Sequence, residues 1–198
     1  MEYFIGLTFD PSSIHYQKIA SFRQRFDSKF KKASILQLTI LPPFSVDFKN
    51  KAEESGFLED LSDVLDGHLM GLENVSQFEF NGITFNAGKN GSLSLTPIVS
   101  TDFLYIQESL YSVLKDYGVK FKKTHDLMSS KLPIGRFEES GILEGAVEVA
   151  KVEFSSPFVM SALSFIIFEK TPKEWAILNN LYDFEIRDPK LFVKQNYA

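Results

Sequence analysis

The sequence predicts an α+β fold on three observations. Short apolar runs of strand character alternate with longer segments of helical spacing. An order of strand, helix, basic tract and strand occurs twice. The 198 residues, 44% hydrophobic and 24% charged, suffice for one sizeable core and match an ordinary globular composition. No linker or low-complexity tract divides the chain, so residues 1–198 are expected to form one compact unit.

Residues 3–9 read as a buried strand. Asp10-Pro11 reads as a helix start, with Asp accepting from orphan N–H groups and Pro suited to the first helical position. Tyr16, Ile19, Phe22, Arg23 and Phe26 continue the turn spacing. The tetrapeptide Lys29-Phe30-Lys31-Lys32 follows, then a strand over 36–44. Residues 51–66 predict a helix with Phe57, Leu58, Leu61 and Leu65 inward and Gly67 as its stop. Residues 77–85 read as a strand bulged at Gly82.

The second half repeats the order. Residues 92–99 read as a strand, Thr101 or Asp102 as an N-cap, and 103–117 as a helix stopped by Gly118. Lys120-Phe121-Lys122-Lys123 and a strand over 130–137 follow. A duplication of this kind sets two equivalent strands about a pseudo-two-fold axis, facing one cleft. Residues 147–154 and 159–168 read as a strand pair turned at Ser155-Ser156-Pro157. Thr171-Pro172-Lys173-Glu174 reads as a capping box that opens a short helix through Trp175, Leu178 and Leu181.

A net charge of −5 argues against duplex DNA as a partner, because displacing counterions from phosphates needs an excess of Lys and Arg. A small nucleotide in a locally basic cleft remains compatible. The absence of cysteine removes disulfides, thiolate metal sites and thiol nucleophiles. The N-terminus lacks a basic region and a long apolar core, and residues 158–168 cover only half the roughly 20 residues that span a bilayer. The expectation is a cytoplasmic protein with no membrane partner.

Two segments carry the functional signal: Leu36-Gln37-Leu38-Thr39-Ile40-Leu41-Pro42-Pro43-Phe44 and Ser130-Lys131-Leu132-Pro133-Ile134-Gly135-Arg136-Phe137. Both resemble the paired H-x-T-x strands of the two-histidine phosphoesterases, the superfamily of 2′-5′ RNA ligase-like and cyclic phosphodiesterase-like proteins. The early strand, the late apolar strand over 162–169 and the run Glu174-Trp175-Ala176-Ile177-Leu178 extend the resemblance over residues 3–184. It implies a bilobal α+β fold, with two antiparallel sheets and flanking helices around a central cleft. In that family alternate residues of each motif strand point into the cleft. One imidazole removes a proton and the other supplies one, while two hydroxyls orient the phosphate. No metal or other cofactor is implied.

Carried over position by position, Gln37 and Lys131 stand where the two histidines would be, Thr39 is kept, and Pro133 replaces the second hydroxyl residue. Gln37 forms hydrogen bonds but exchanges no proton near neutral pH. Pro133 removes a hydroxyl and a backbone donor and suggests an edge or a bulge. Gln37, Thr39 and a charged Lys131 suit an anion, with lysine as a point charge. The expected protein is a monomeric pseudoenzyme holding a nucleotide, an RNA end or another phosphate-bearing ligand. Two alternatives stand beside it. One is a diverged phosphoesterase using Lys131 as acid or electrostatic group. The other is a scaffold whose cleft is filled by its own aromatics.

Each residue also has a plainer reading. Gln37 and Thr39 suit the wet face of a half-buried strand, and Lys131 suits a guarded strand edge. Alternation sets Arg136 opposite Lys131, which favours a structural ion pair. The Lys-Phe-Lys-Lys tracts suit solvated turns. His15 and His68 read as surface residues, and His125 as the one histidine near a motif. Glu53, Glu54, Glu59, Asp60 and Asp63 read as the exposed face of a helix rather than a metal site.

Overall fold

In the computed structural model, which describes residues 1–27, 35–70, 76–87, 91–121, 130–172 and 174–184, the fold is α+β. The elements run β1 (Glu2–Phe9), α1 (Ile14–Phe26), β2 (Gln37–Ser45), α2 (Lys51–Leu69), β3 (Gln77–Asn86) and β4 (Gly91–Pro97). They continue α3 (Thr101–Asp116), β5 (Lys120–Phe121), β6 (Leu132–Phe137), α4 (Ser140–Glu153), β7 (Phe158–Lys170) and β8 (Trp175–Asp183). The strands are hydrogen-bonded in the order β5-β2-β1-β7-β3-β4-β6, with β8 also on β7, and every pairing is antiparallel.

The two expected sheets are thus one sheet. The cause is the length of β7, whose 13 residues serve both halves. Its residues 158–161 pair with β3, and the remainder pairs with β1 on one edge and β8 on the other.

Alternation along β1 divides the interior. Tyr3, Ile5, Leu7 and Phe9 enter the main core, where they join Ile19 and Phe22 of α1, Phe57 and Leu61 of α2, and Leu110 and Leu114 of α3. The opposite face carries Phe4, which forms a second cluster with Ile166, Phe168 and Trp175. Each fully buried aromatic or aliphatic side chain contributes about 1.5–3 kcal/mol relative to exposure, so the many phenylalanines account for much of the fold's stability.

Both motif strands carry a bulge at the same place. In β2, Thr39 faces Gly6 and Leu41 faces Ile5, so Ile40 is the extra residue. In β6, Pro133 faces Ser94 and Gly135 faces Leu93, so Ile134 is the extra residue. A second bulge in β2 sets Pro42 and Pro43 together against Phe4, where two residues without N–H donors cost no ladder bond. Among the described residues β6 pairs only with β4, which puts Pro133 on an edge strand and beside a bulge.

Several sequence expectations are corrected. The N-cap of α1 is Ser13, whose hydroxyl accepts from the Tyr16 N–H; Asp10 instead accepts from the N–H and hydroxyl of Ser12 in the preceding turn. Ser100, rather than Thr101 or Asp102, caps α3. Helix α2 runs through Gly67 to Leu69, because Leu65 and Leu69 both bury on its inner face and outweigh one glycine. Residues 147–154 lie in helix α4 and the turn that ends it, with Leu143, Ala146, Val147 and Ala150 buried at helical spacing. Their valines resemble a strand, but the buried set follows the helical period. Residues 175–181 form β8 rather than a helix. Thr171 Oγ1 does accept from the Glu174 N–H at 3.0 Å, but in a hairpin turn that returns the chain along β7.

Candidate functional site

Gln37 and Thr39 share the half-buried face of β2, while Leu38 and Ile40 point into the core. Their directly opposed partners on β1 are Thr8 and Gly6. Lys131 is exposed and immediately precedes β6, and Pro133 is exposed two residues later. Although β2 and β6 stand far apart in the strand order, their Cα atoms approach within 8 Å. The sheet therefore curls until the two motif strands are neighbours.

A buried glutamine ties them together. Gln107 of α3 is 1% exposed, and its Nε2 donates to the carbonyl of Ile40 at 2.9 Å and to Ser130 Oγ at 3.0 Å. Ile40 follows Thr39 and Ser130 precedes Lys131, so one amide nitrogen bonds to the direct neighbours of two motif positions. Among the described residues, the side chains of Gln37, Thr39 and Lys131 make no hydrogen bond or ion pair, which leaves their polar groups available.

The same face continues across the sheet. Thr8 opposes Ser164, and Ser164 opposes Asp183. Thr8 Oγ1 donates to the Ser164 carbonyl, and Ser164 Oγ donates to Asp183 Oδ1 at 2.6 Å. Asn180 Nδ2 donates to the same oxygen at 2.7 Å. The hydrogen bonds from Asn180 and Ser164 hold the Asp183 carboxyl below its ordinary range. Two rungs on along the same face, the rings of Phe4 and Phe168 stack at 4.5 Å and Trp175 meets Phe4 edge-on. A Cβ on Gly6 would lie 3.1 Å from Phe168 and 3.3 Å from Phe4, so the absence of a side chain lets these rings fold over the sheet.

Arg136 belongs to a different group. Its Nε lies 3.5 Å from Asp27 Oδ1, and Arg23 approaches the other carboxylate oxygen at 3.7 Å. Burial lowers the Arg23 pKa, partly opposed by the Asp27 charge. The structural ion pair expected for Arg136 is present. The bulge at Ile134 corrects its direction: Arg136 faces Ser92 and Pro133 faces Ser94, so Arg136 shares the face of Lys131 rather than opposing it.

His15 stacks on Phe158 at 4.6 Å, and His68 is half-buried in the last turn of α2. His125, the first Lys-Phe-Lys-Lys tract and Lys122-Lys123 lie outside the described residues. On α2, Glu59, Asp60 and Asp63 are exposed, Glu53 and Glu54 are half-buried, and Asp60 accepts from Tyr117 Oη at 2.7 Å. Among the described residues no three His, Asp or Glu side chains gather as metal ligands. No helix among them is long and apolar enough to cross a membrane.

Chemically, Gln37, Thr39 and Lys131 offer one amide, one hydroxyl and one ammonium. Sequence reasoning missed Gln107, although it is the one polar residue on an apolar stripe with Phe103, Ile106, Leu110 and Leu114. It also missed Asp183, whose place on this face follows from β8 being a strand. No protein-family model and no curated protein sequence matches this chain.

Proposed function

We propose that this chain is a two-histidine phosphoesterase-like protein that binds a phosphate-bearing ligand, a nucleotide or RNA end, between its motif strands without turning it over. The observation that carries this reading is the joining of the two motif segments by Gln107, which bonds to the residue after Thr39 in one and the residue before Lys131 in the other. The topology supports it. Elements β1-α1-β2-α2-β3 correspond in order to β4-α3-β6-α4-β7, and the order β2-β1-β7-β3-β4-β6 maps onto itself when the two sets are exchanged. The matched bulges at Ile40 and Ile134 align Gln37 with Lys131, as an internal duplication requires.

The test is calorimetric titration with 5′-AMP and a 2′,3′-cyclic nucleotide, followed by a hydrolysis assay. Wild type should bind and leave the cyclic ester intact. A Gln37→His, Lys131→His, Pro133→Thr variant should hydrolyse it. Turnover by the wild type overturns the pseudoenzyme reading in favour of a diverged phosphoesterase. The packed rings of Phe4, Phe168 and Trp175 favour a second reading, a scaffold with its cleft filled from within. Absence of binding and of turnover in both proteins selects that reading.

A further inference from the structure

The binding face does not end at β2. Four residues in register cross it from strand to strand: Gln37, Thr8, Ser164 and Asp183. The middle two are short and buried, and their hydroxyls are already engaged within the sheet. The outer two differ. Gln37 is half-buried without a described partner, and Asp183 is exposed at the end of β8.

Asp183 is held in place. Ser164 and Asn180 both donate to Oδ1, which fixes the carboxylate plane and leaves Oδ2 to accept from elsewhere. Among the described residues no cation pairs with it. A fixed carboxylate without a cation is a station for neutral hydrogen-bond donors. With neighbouring strands about 4.8 Å apart, three spacings put it about 14 Å from Gln37 along the sheet. A free phosphate cannot bridge that span. A nucleotide can, with its phosphate at one end and base or sugar donors at the other, once the Gln37 and Asp183 side chains reach inward.

We infer that Asp183, oriented by Ser164 and Asn180, is the specificity group of this face and accepts hydrogen bonds from the nucleoside part of a mononucleotide whose phosphate lies at Gln37, Thr39 and Lys131. The inference rests on the phosphate-binding reading above. It goes further by naming the residue that reads the nucleoside.

The experiment compares inorganic phosphate, ribose 5-phosphate and 5′-AMP, titrated into wild type, Asp183→Asn and Ser164→Ala, with a melting curve for each. Asp183→Asn keeps the side chain's size and a carbonyl to accept from Ser164. It should weaken 5′-AMP roughly tenfold or more, the scale of a lost charge-assisted hydrogen bond. Removing a negative charge should at the same time leave phosphate binding unchanged or tighter. Damage to the fold would weaken both. Ser164→Ala, which frees the carboxylate to rotate, should give a smaller loss in the same direction. A parallel loss for ribose 5-phosphate names the sugar as donor, and a loss confined to 5′-AMP names the base. Equal 5′-AMP affinity in wild type and Asp183→Asn, or equal losses for phosphate and 5′-AMP, overturns the inference alone. A wild type that binds none of the three overturns the phosphate-binding reading and this inference with it.

Discussion

β2 and β6 carry similar motifs but occupy different surroundings. β2 pairs along its length with β1, and among the described residues its second edge is paired with β5 at Phe44 and Ser45. Among the described residues, β6 is an edge strand, paired with β4 alone. The position after the shared bulge is Leu41 in β2, fully buried, and Gly135 in β6, covered by the ring of Phe137. In β2 the side chain fills the space itself; in β6 a neighbour fills it. One backbone plan thus accepts two packing solutions.

The largest effect should come from exchanging those solutions. Leu41→Ala opens a cavity in the main core and should cost about 2–5 kcal/mol in denaturant unfolding. Gly135→Ala sets a Cβ 2.5 Å from the Phe137 ring and should cost about 1–3 kcal/mol as that ring is displaced. A Gly135→Ala loss exceeding that of Leu41→Ala would break the comparison, making the edge strand the tighter of the two.

A middle-sized effect falls on the link between the strands. Gln107→Leu keeps the volume but strands the Ile40 carbonyl and the Ser130 hydroxyl, at a cost of about 1–3 kcal/mol. Affinity for 5′-AMP should fall with it, relative to the wild type. Identical affinities would show that the spacing of the strands does not depend on this amide.

The smallest effect is a difference in alkali. Burial, with Glu54 and Glu169 nearby, pushes the Tyr3 phenol up to about 12, and its hydrogen bond to Asp60 pushes Tyr117 up to about 12. Both rings pack in the β2 half, Tyr3 against Phe44 and Tyr117 against Phe57. A folded pKa raised above the unfolded value near 10 gives stability that is whole below pH of about 10 and fades as pH rises toward 12. Hydrogen exchange should therefore quicken around β1 and α2 before β4 and α4 in that window. Tyr117→Phe should remove part of the dependence, and uniform quickening would refute the localisation.

Much of this was legible in the sequence. Strands β1, β2, β3, β4, β6 and β7 and helices α1, α2 and α3 follow from periodicity, because each buries one face with unambiguous spacing. The twofold order of strand, helix and strand was legible too. Extended by one element, it calls for a helix after the second motif strand, where α4 stands and a strand was expected. β8 was hidden for another reason. Thr171 and Glu174 make the same hydroxyl contact in a hairpin as in a helix cap, and only the unpaired edge of β7 decides between them. At the site, Gln37 and Thr39 could be placed on one face by alternation, whereas Gln107 and Asp183 enter through tertiary contacts.

The long β7 also has a consequence for how the chain is made. β1 emerges first from the ribosome, yet the strand that covers its second edge is encoded more than 150 residues later. At about 5–20 residues per second, β1 waits on the order of ten seconds or more for its partner. Through that interval Phe4, Ile5 and Leu7 lie beside an open strand edge, a template for pairing with another chain until β7 arrives.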